Sequence, residues 1–93
     1  MILPFDQILE ASFRDGVVCV SFRLGLADGF TLLSRRGEEE DFSALAEDDP
    51  IPLIDARPKL DPLRPETRYY RAILHYSSYE VLRFSNEIIL TLP

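Results

Sequence analysis

His75 and Cys19 are the only histidine and the only cysteine in the chain, so imidazole acid–base and thiolate chemistry rest on one residue each. A catalytic triad or a metal centre needs an imidazole beside a nucleophile or further ligands. Nothing with ligand spacing surrounds His75, which falls within an alternating run and reads as a half-buried or solvated strand side chain. Cys19 is flanked by valines and lacks the cationic neighbours that lower a thiol pKa, so it reads as a structural thiol. As the sole cysteine it makes no intrachain disulfide, which fits a reducing compartment. Glu38–Asp41, with Asp48 and Asp49, offers hard oxygen donors suited to calcium, but without the alternating spacing or the glycine of a calcium loop. It reads as solvated loop charge. Arg14-Asp15-Gly16 holds the letters of an adhesive tripeptide in another order, inside a turn, and receives no adhesive role. Phosphate-cradling glycine loops, paired catalytic carboxylates and nucleophile elbows are missing from the sequence. The expectation is a non-enzymatic chain with no catalytic residue, cofactor or metal.

Recognition is the other chemistry available. Arg35, Arg36, Arg64, Arg68, Arg71 and Arg83 carry most of the positive charge, and Tyr69, Tyr76 and Tyr79 lie near them in sequence. Arginine and tyrosine are enriched where proteins bind proteins. Arg35, Arg71, Tyr76, Tyr79 and Arg83 are therefore the candidate interaction surface. The plainer alternative is that these are solvated strand faces.

Ninety-three residues make one domain, 1–93, with a core over about 8–92. Sixteen acids against ten bases give a net charge of −6, which repels phosphate backbones and anionic lipid. Neither nucleic acid, a membrane nor a small-molecule substrate is expected as a partner; a protein is, this chain's own copies included. No apolar run approaches the ~20 residues of a membrane span. Met1–Asp6 has neither a basic nor a long apolar segment, as a secretion signal would. The expectation is a protein made in the cytoplasm and carried into a particle, or an extracellular one if the chain is a piece of something longer.

The elements that must hold these residues alternate with period two. Val18, Val20, Phe22 and Leu24 share one face after the turn Asp15-Gly16, with Val17, Cys19, Ser21 and Arg23 on the other. Leu9, Ala11 and Phe13 mark a shorter strand before it, and Phe30, Leu32 and Ser34 a third strand after Asp28-Gly29. Phe42–Glu47 has helix-forming residues, yet its strand context and flanking charge favour a short edge strand. Pro52 restricts Ile51–Asp55 to a short or edge strand. Pro58, Pro62 and Pro65 space out a stiff connection between sheets. Thr67–Tyr76 is a long strand, Ser77–Glu80 a loop, and Glu87–Leu92 the last strand, with Ile88, Leu90 and Leu92 on one face. About seven short strands at this spacing predict an all-β, antiparallel, Greek-key β-sandwich. Its core is expected from Val18, Val20, Phe22, Phe30, Leu32, Ala72, Leu74, Ile88 and Leu90.

The run Leu63-Arg64-Pro65-Glu66-Thr67-Arg68-Tyr69 delivers a tyrosine from a proline turn into a strand. In Greek-key sandwiches a tyrosine at this corner bonds backbone a few residues upstream. The motif resembles the Leu-x-Pro-Gly-Thr-x-Tyr entry of fibronectin type III domains, with Glu66 in the place of glycine. Val18-x-Val20-x-Phe22 is similar to that family's second strand, with Phe22 for the usual tryptophan; the chain has none. Phe30–Arg36 resembles its third strand, and Ser85-Asn86-Glu87-Ile88 its common ending. The resemblance spans nearly the whole chain. Counting from Tyr69 aligns Arg71, Ile73 and His75, whereas Tyr70, Ala72, Leu74 and Tyr76 make a more apolar face; a bulge at 69–70 reconciles the two. The Tyr70 face is assigned to the core, and Leu63, Pro65, Thr67 and one of Tyr69 and Tyr70, with Tyr69 preferred, to the corner. The resemblance implies a non-catalytic structural or protein-interaction module; taken with the missing secretion signal, the expectation is an accessory subunit of a larger assembly such as a phage or virus capsid or tail. The alternative is a spacer, adhesion or carbohydrate-contacting domain of a secreted multidomain protein.

Overall fold

The computed structural model describes residues 9–23, 27–77 and 81–93, with the backbone alone for 81–83. The strands are β1 (Glu10–Arg14), β2 (Val17–Ser21), β3 (Gly29–Arg36), β4 (Ser43–Glu47), β5 (Leu53–Asp55), β6 (Glu66–Tyr76), β7 (Val81–Phe84) and β8 (Ile88–Leu92). Among the described residues there is no α-helix, hence none long and apolar enough to cross a membrane. Every pairing is antiparallel.

Local chemistry sets the first hairpin. Asp15 and Gly16 have φ of 54° and 82°, the two positive values that a two-residue type I′ turn requires, and Arg14 pairs directly with Val17 across it. Nothing lies within 4 Å of where a Cβ on Gly16 would sit, so only backbone strain opposes a side chain there. Gly16→Ala is expected to lower stability by about 1 kcal/mol, read as a shift in the urea midpoint with unchanged slope.

One sheet has the order β1-β2-β5. The other runs β4-β3-β6, and beyond β6 both β7 and β8 lie along the same edge. β7 pairs with residues 73–76 of β6 and β8 with residues 66–70, so the two occupy one strand position in succession. At the break between them Ser85 maintains the ladder: its N–H donates to the Ala72 carbonyl and its Oγ accepts the Ala72 N–H, both at 2.9 Å. Asn86 turns away to clasp the backbone of Leu9, accepting from its N–H at 2.7 Å and donating to its carbonyl at 3.2 Å. The stretch Val81–Phe84 was not expected as a strand, because four residues are too few to display a period. Within the Phe42–Glu47 stretch Ser43–Glu47 forms an edge strand, β4, paired among the described residues with β3 alone and irregular between Leu32 and Leu33. The peptide bond Ile51–Pro52, just before β5, is cis.

Alternating residues of both sheets form one buried cluster: Val18, Val20 and Phe22 from the β2 side, Leu53 from β5, Phe30 and Leu32 from β3, and Tyr70, Ala72, Leu74 and Tyr76 from β6. Phe22 meets Phe30 edge to face, centroids 4.9 Å apart and planes at 87°, a favoured arrangement for two rings. Leu9 and Leu92 complete the cluster. Ile88 and Leu90 depart from expectation, being half-buried and packed against the cluster. They lie on β8, which among the described residues is paired in its sheet with β6 alone. Leu24 lies outside the described residues.

Candidate interaction face

The frame of β6 decides which residues can meet a partner. Its pairing with β3 is continuous from Gly29 opposite His75 to Arg36 opposite Arg68, and its pairing with β8 continues the same alternation. The bulge expected at 69–70 does not occur, and residues 68, 70, 72, 74 and 76 all point inward. Tyr76 is 2% exposed and so is not part of any surface, a correction to its expected place there. It follows from the unbroken period, which puts Tyr76 on the face of Tyr70.

The corner takes the second of its two candidate tyrosines and a different acceptor. Tyr70, not Tyr69, spans the two sheets, and its hydroxyl donates to Asp55 Oδ2 on β5 at 2.6 Å, a side chain where backbone was expected. Leu63 is 93% exposed and anchors nothing, Pro65 is exposed, and Thr67 is half-buried. Without a bulge, the motif's tyrosine position falls on the outward side of the strand.

Around Tyr70 lies a buried polar cluster. Arg68, fully buried, donates from Nε to Glu66 Oε2 at 2.6 Å, from Nη1 to Asp55 Oδ2 at 3.1 Å, and from Nη2 to the carbonyls of Arg57 and Pro58 at 2.9 and 3.2 Å. Arg57 clasps both Asp55 oxygens at 2.9 Å and reaches Ser34 Oγ at 2.9 Å. Burial alone would raise the Asp55 carboxyl, but the hydrogen bonds from Arg57 and Tyr70 and the Arg57 charge outweigh it and hold the pKa at about 2. Burial, then the hydrogen bond to Asp55 and its charge, pushes Tyr70 up to about 12. Glu66 is lowered as well: burial opposes, while the Leu60 N–H, Arg68 and Arg36 favour its charge. These groups are satisfied by one another, so they join β5 to β6 and offer little to a ligand. Beside them a depression of about 360 Å³ is walled by Arg36, Asp61, Arg64 and Glu66, whose charges are paired as Arg36–Glu66 at 3.3 Å and Arg64–Asp61 at 3.7 Å.

The outward face of the larger sheet is different. Arg35 stands opposite Tyr69, and Arg71 opposite Leu33. The Arg35 guanidinium lies 3.8 Å from the Tyr69 ring centroid and 5.5 Å from that of Phe42. That of Arg71 lies 4.7 Å from both Phe42 and Phe84. Phe84 is 60% and Ile89 63% exposed, and Ile89 sits directly across from Tyr69. Arg35 and Arg71, expected at a surface from sequence, are thus brought together here. Tyr79 and the side chain of Arg83 lie outside the described residues. Phe42, Phe84 and Ile89 were missed. Their signal was an unpaired apolar residue at an outward position, visible only once strand pairing was known.

The residues first weighed for chemistry are used within the fold. His75 Nε2 lies 3.3 Å from Thr31 Oγ1, and Cys19 is half-buried opposite Ile54. Glu39 closes the β3–β4 turn by accepting the Arg36 N–H at 2.6 Å, and Asp48 accepts the Phe30 N–H at 2.7 Å. Among the described residues no three of histidine, cysteine, aspartate and glutamate converge as metal ligands would. No protein-family model, curated protein or solved structure matches the chain.

Proposed function

We propose that the chain is a non-catalytic interaction module, a Greek-key sandwich of the fibronectin type III kind that serves as an accessory subunit of a larger protein assembly such as a virus particle. The single observation that carries an interaction role is the outward face of β3, β6, β7 and β8. Two large apolar side chains there, Phe84 and Ile89, are well exposed beside arginines stacked on aromatic rings. Aromatic and arginine anchors with rigid side chains are what binding surfaces are built on, because little freedom is lost when a partner covers them. The strand order supports the sandwich type: β1-β2-β5 stands against β4-β3-β6-β7/β8, with the chain crossing between sheets at β2–β3, β4–β5 and β5–β6. Fold likeness alone carries no function, so the face must be tested directly.

A photoreactive phenylalanine analogue at position 89 is expected to crosslink to one protein partner in the native cell. The same probe at Ser12, exposed on the smaller sheet, is expected to give none. Equal or absent crosslinking at both positions would remove the basis for the interaction role. Purified particles lacking the chain would reject the virion setting while leaving the face intact.

A further inference from the structure

We infer that this face receives an extended protein segment bearing carboxylates at alternate positions, which pair with Arg71 and Arg35 while apolar residues between them cover Phe84 and Ile89. The inference rests on the interaction role proposed above and identifies the chemistry of the partner.

Arg71 carries it. Its guanidinium carbon lies 4.7 Å from the centroids of both the Phe42 and Phe84 rings, so aromatic surface packs against it and its N–H donors are what it offers to a partner. Arginine presents its donors in a fork that matches a carboxylate. The Nε of Arg71 is shielded from water and has no hydrogen-bond partner. The terminal Nη1 and Nη2 are not shielded in this way, and a carboxylate arriving end-on meets them. Arg35 is in a similar position: it stacks on Tyr69 and donates to the Glu39 carbonyl at 3.0 Å, with no ion pair among the described residues. Among the described residues Arg36, Arg57, Arg64 and Arg68 all pair with carboxylates, and these two arginines on the aromatic face do not.

The spacing selects the form of the partner. Arg35 is opposite Tyr69 and Arg71 is two residues further along β6, so the two are diagonal neighbours on adjacent strands, roughly 7–8 Å apart. Alternate side chains of an extended segment repeat at roughly 6.6 Å. Two acids at positions i and i+2 therefore reach both guanidinium groups, and the residues flanking them meet the apolar rim. Other occupants fit less well. A purely apolar partner would bury two unpaired cations. A two-fold contact between copies of this chain across this face would gather two sets of Arg35 and Arg71 in one interface. A nucleic acid or sulfated polysaccharide meets the −6 net charge and has no apolar groups for Phe84 and Ile89.

The probe is a blocked seven-residue peptide of alternating glutamate and valine, titrated into the isotopically labelled full chain at 50 mM salt. The expected result is saturable binding that moves the Nε–H signals of Arg71 and Arg35 and the ring signals of Phe84. The glutamine–valine peptide is expected to bind at least tenfold more weakly. Arg71→Met is expected to lose a similar factor and Arg71→Lys about fivefold, with amide spectra otherwise unchanged. Because the glutamine peptide needs no protein variant, the outcome does not depend on how Arg71→Met folds. Equal binding of the two peptides, no binding, tighter binding of heparin at the same site, or self-association lost in Arg71→Met would each overturn the inference. If position 89 crosslinks a partner while neither peptide binds, the carboxylate assignment falls and the interaction role stands. If crosslinking also fails, both fall.

Discussion

Asp55→Ala is expected to lower the unfolding free energy by about 3–5 kcal/mol, the usual cost of removing one member of a buried charged pair. Asp55 and Arg68 are both without exposed side-chain surface, and Asp55 accepts from Arg68, Arg57 and Tyr70 together. Removing it strands the Tyr70 hydroxyl and leaves Arg68 with Glu66 and two carbonyls as partners. Arg57, a third exposed, can turn toward water, so Arg57→Ala should cost only about 1 kcal/mol. The size of the Asp55 effect measures the stranding of its partners and not the net worth of the ion pair. For that reason the double replacement Asp55→Leu with Arg68→Met is expected to recover at least half of the loss, since two well-packed apolar groups do not need each other's charge. Urea unfolding followed by circular dichroism gives both numbers. A loss below about 1 kcal/mol for Asp55→Ala would mean that this end of the molecule is solvated and does not hold β5 against β6.

That cluster shows where residue-by-residue reading succeeds and where it stops. The inward faces of β2 and β3 were legible because Val18-Val20-Phe22 and Phe30-Leu32 recur under one period while the other face ends in Ser21 and Arg23 or starts with Thr31. The polar end was legible in principle too. Ser34 continues the face of Phe30 and Leu32, Asp55 that of Leu53, and Arg68 that of Tyr70 and Ala72. Arg68 was instead grouped with surface arginines, because a lone arginine in sequence gives no sign of the carboxylates that make its burial tolerable. Glu66, two residues away, and Asp55, thirteen away, meet it only when β5 and β6 are brought together from different sheets. The outward face failed for a related reason. Phe42, Arg71 and Phe84 come from a loop and two strands, and their stack is a product of pairing between β6 and its neighbours. Nothing within any one segment marks it.

Stability should hold level from about pH 5 to 10 and fall on both sides. On the acid side, the folded pKa of Asp55 is about 2 against an ordinary 3.8. A depressed carboxyl adds stability that is fully present above 3.8 and is lost as the pH drops through 2, amounting to about 2 kcal/mol at roughly 1.4 kcal/mol per unit. Glu66 and Asp28 are lowered too, Glu66 despite its burial and Asp28 by hydrogen bonds from Ser77, so they steepen the same limb. On the alkaline side the sign is reversed. Tyr70 has its pKa raised from 10.0 to about 12, so its contribution is present below pH 10 and is lost as the pH rises through 12. The two limbs share one hydrogen bond, which makes the variants diagnostic. Asp55→Asn should flatten the acid limb to the residue left by Glu66 and Asp28. Tyr70→Phe should flatten the alkaline limb and also shrink the acid one, because a hydrogen bond that lowers the Asp55 pKa is gone. Urea midpoints taken from pH 2 to 12 for the three proteins test this. An acid limb unchanged in Asp55→Asn would assign acid sensitivity to carboxylates elsewhere and detach it from the contact between β5 and β6.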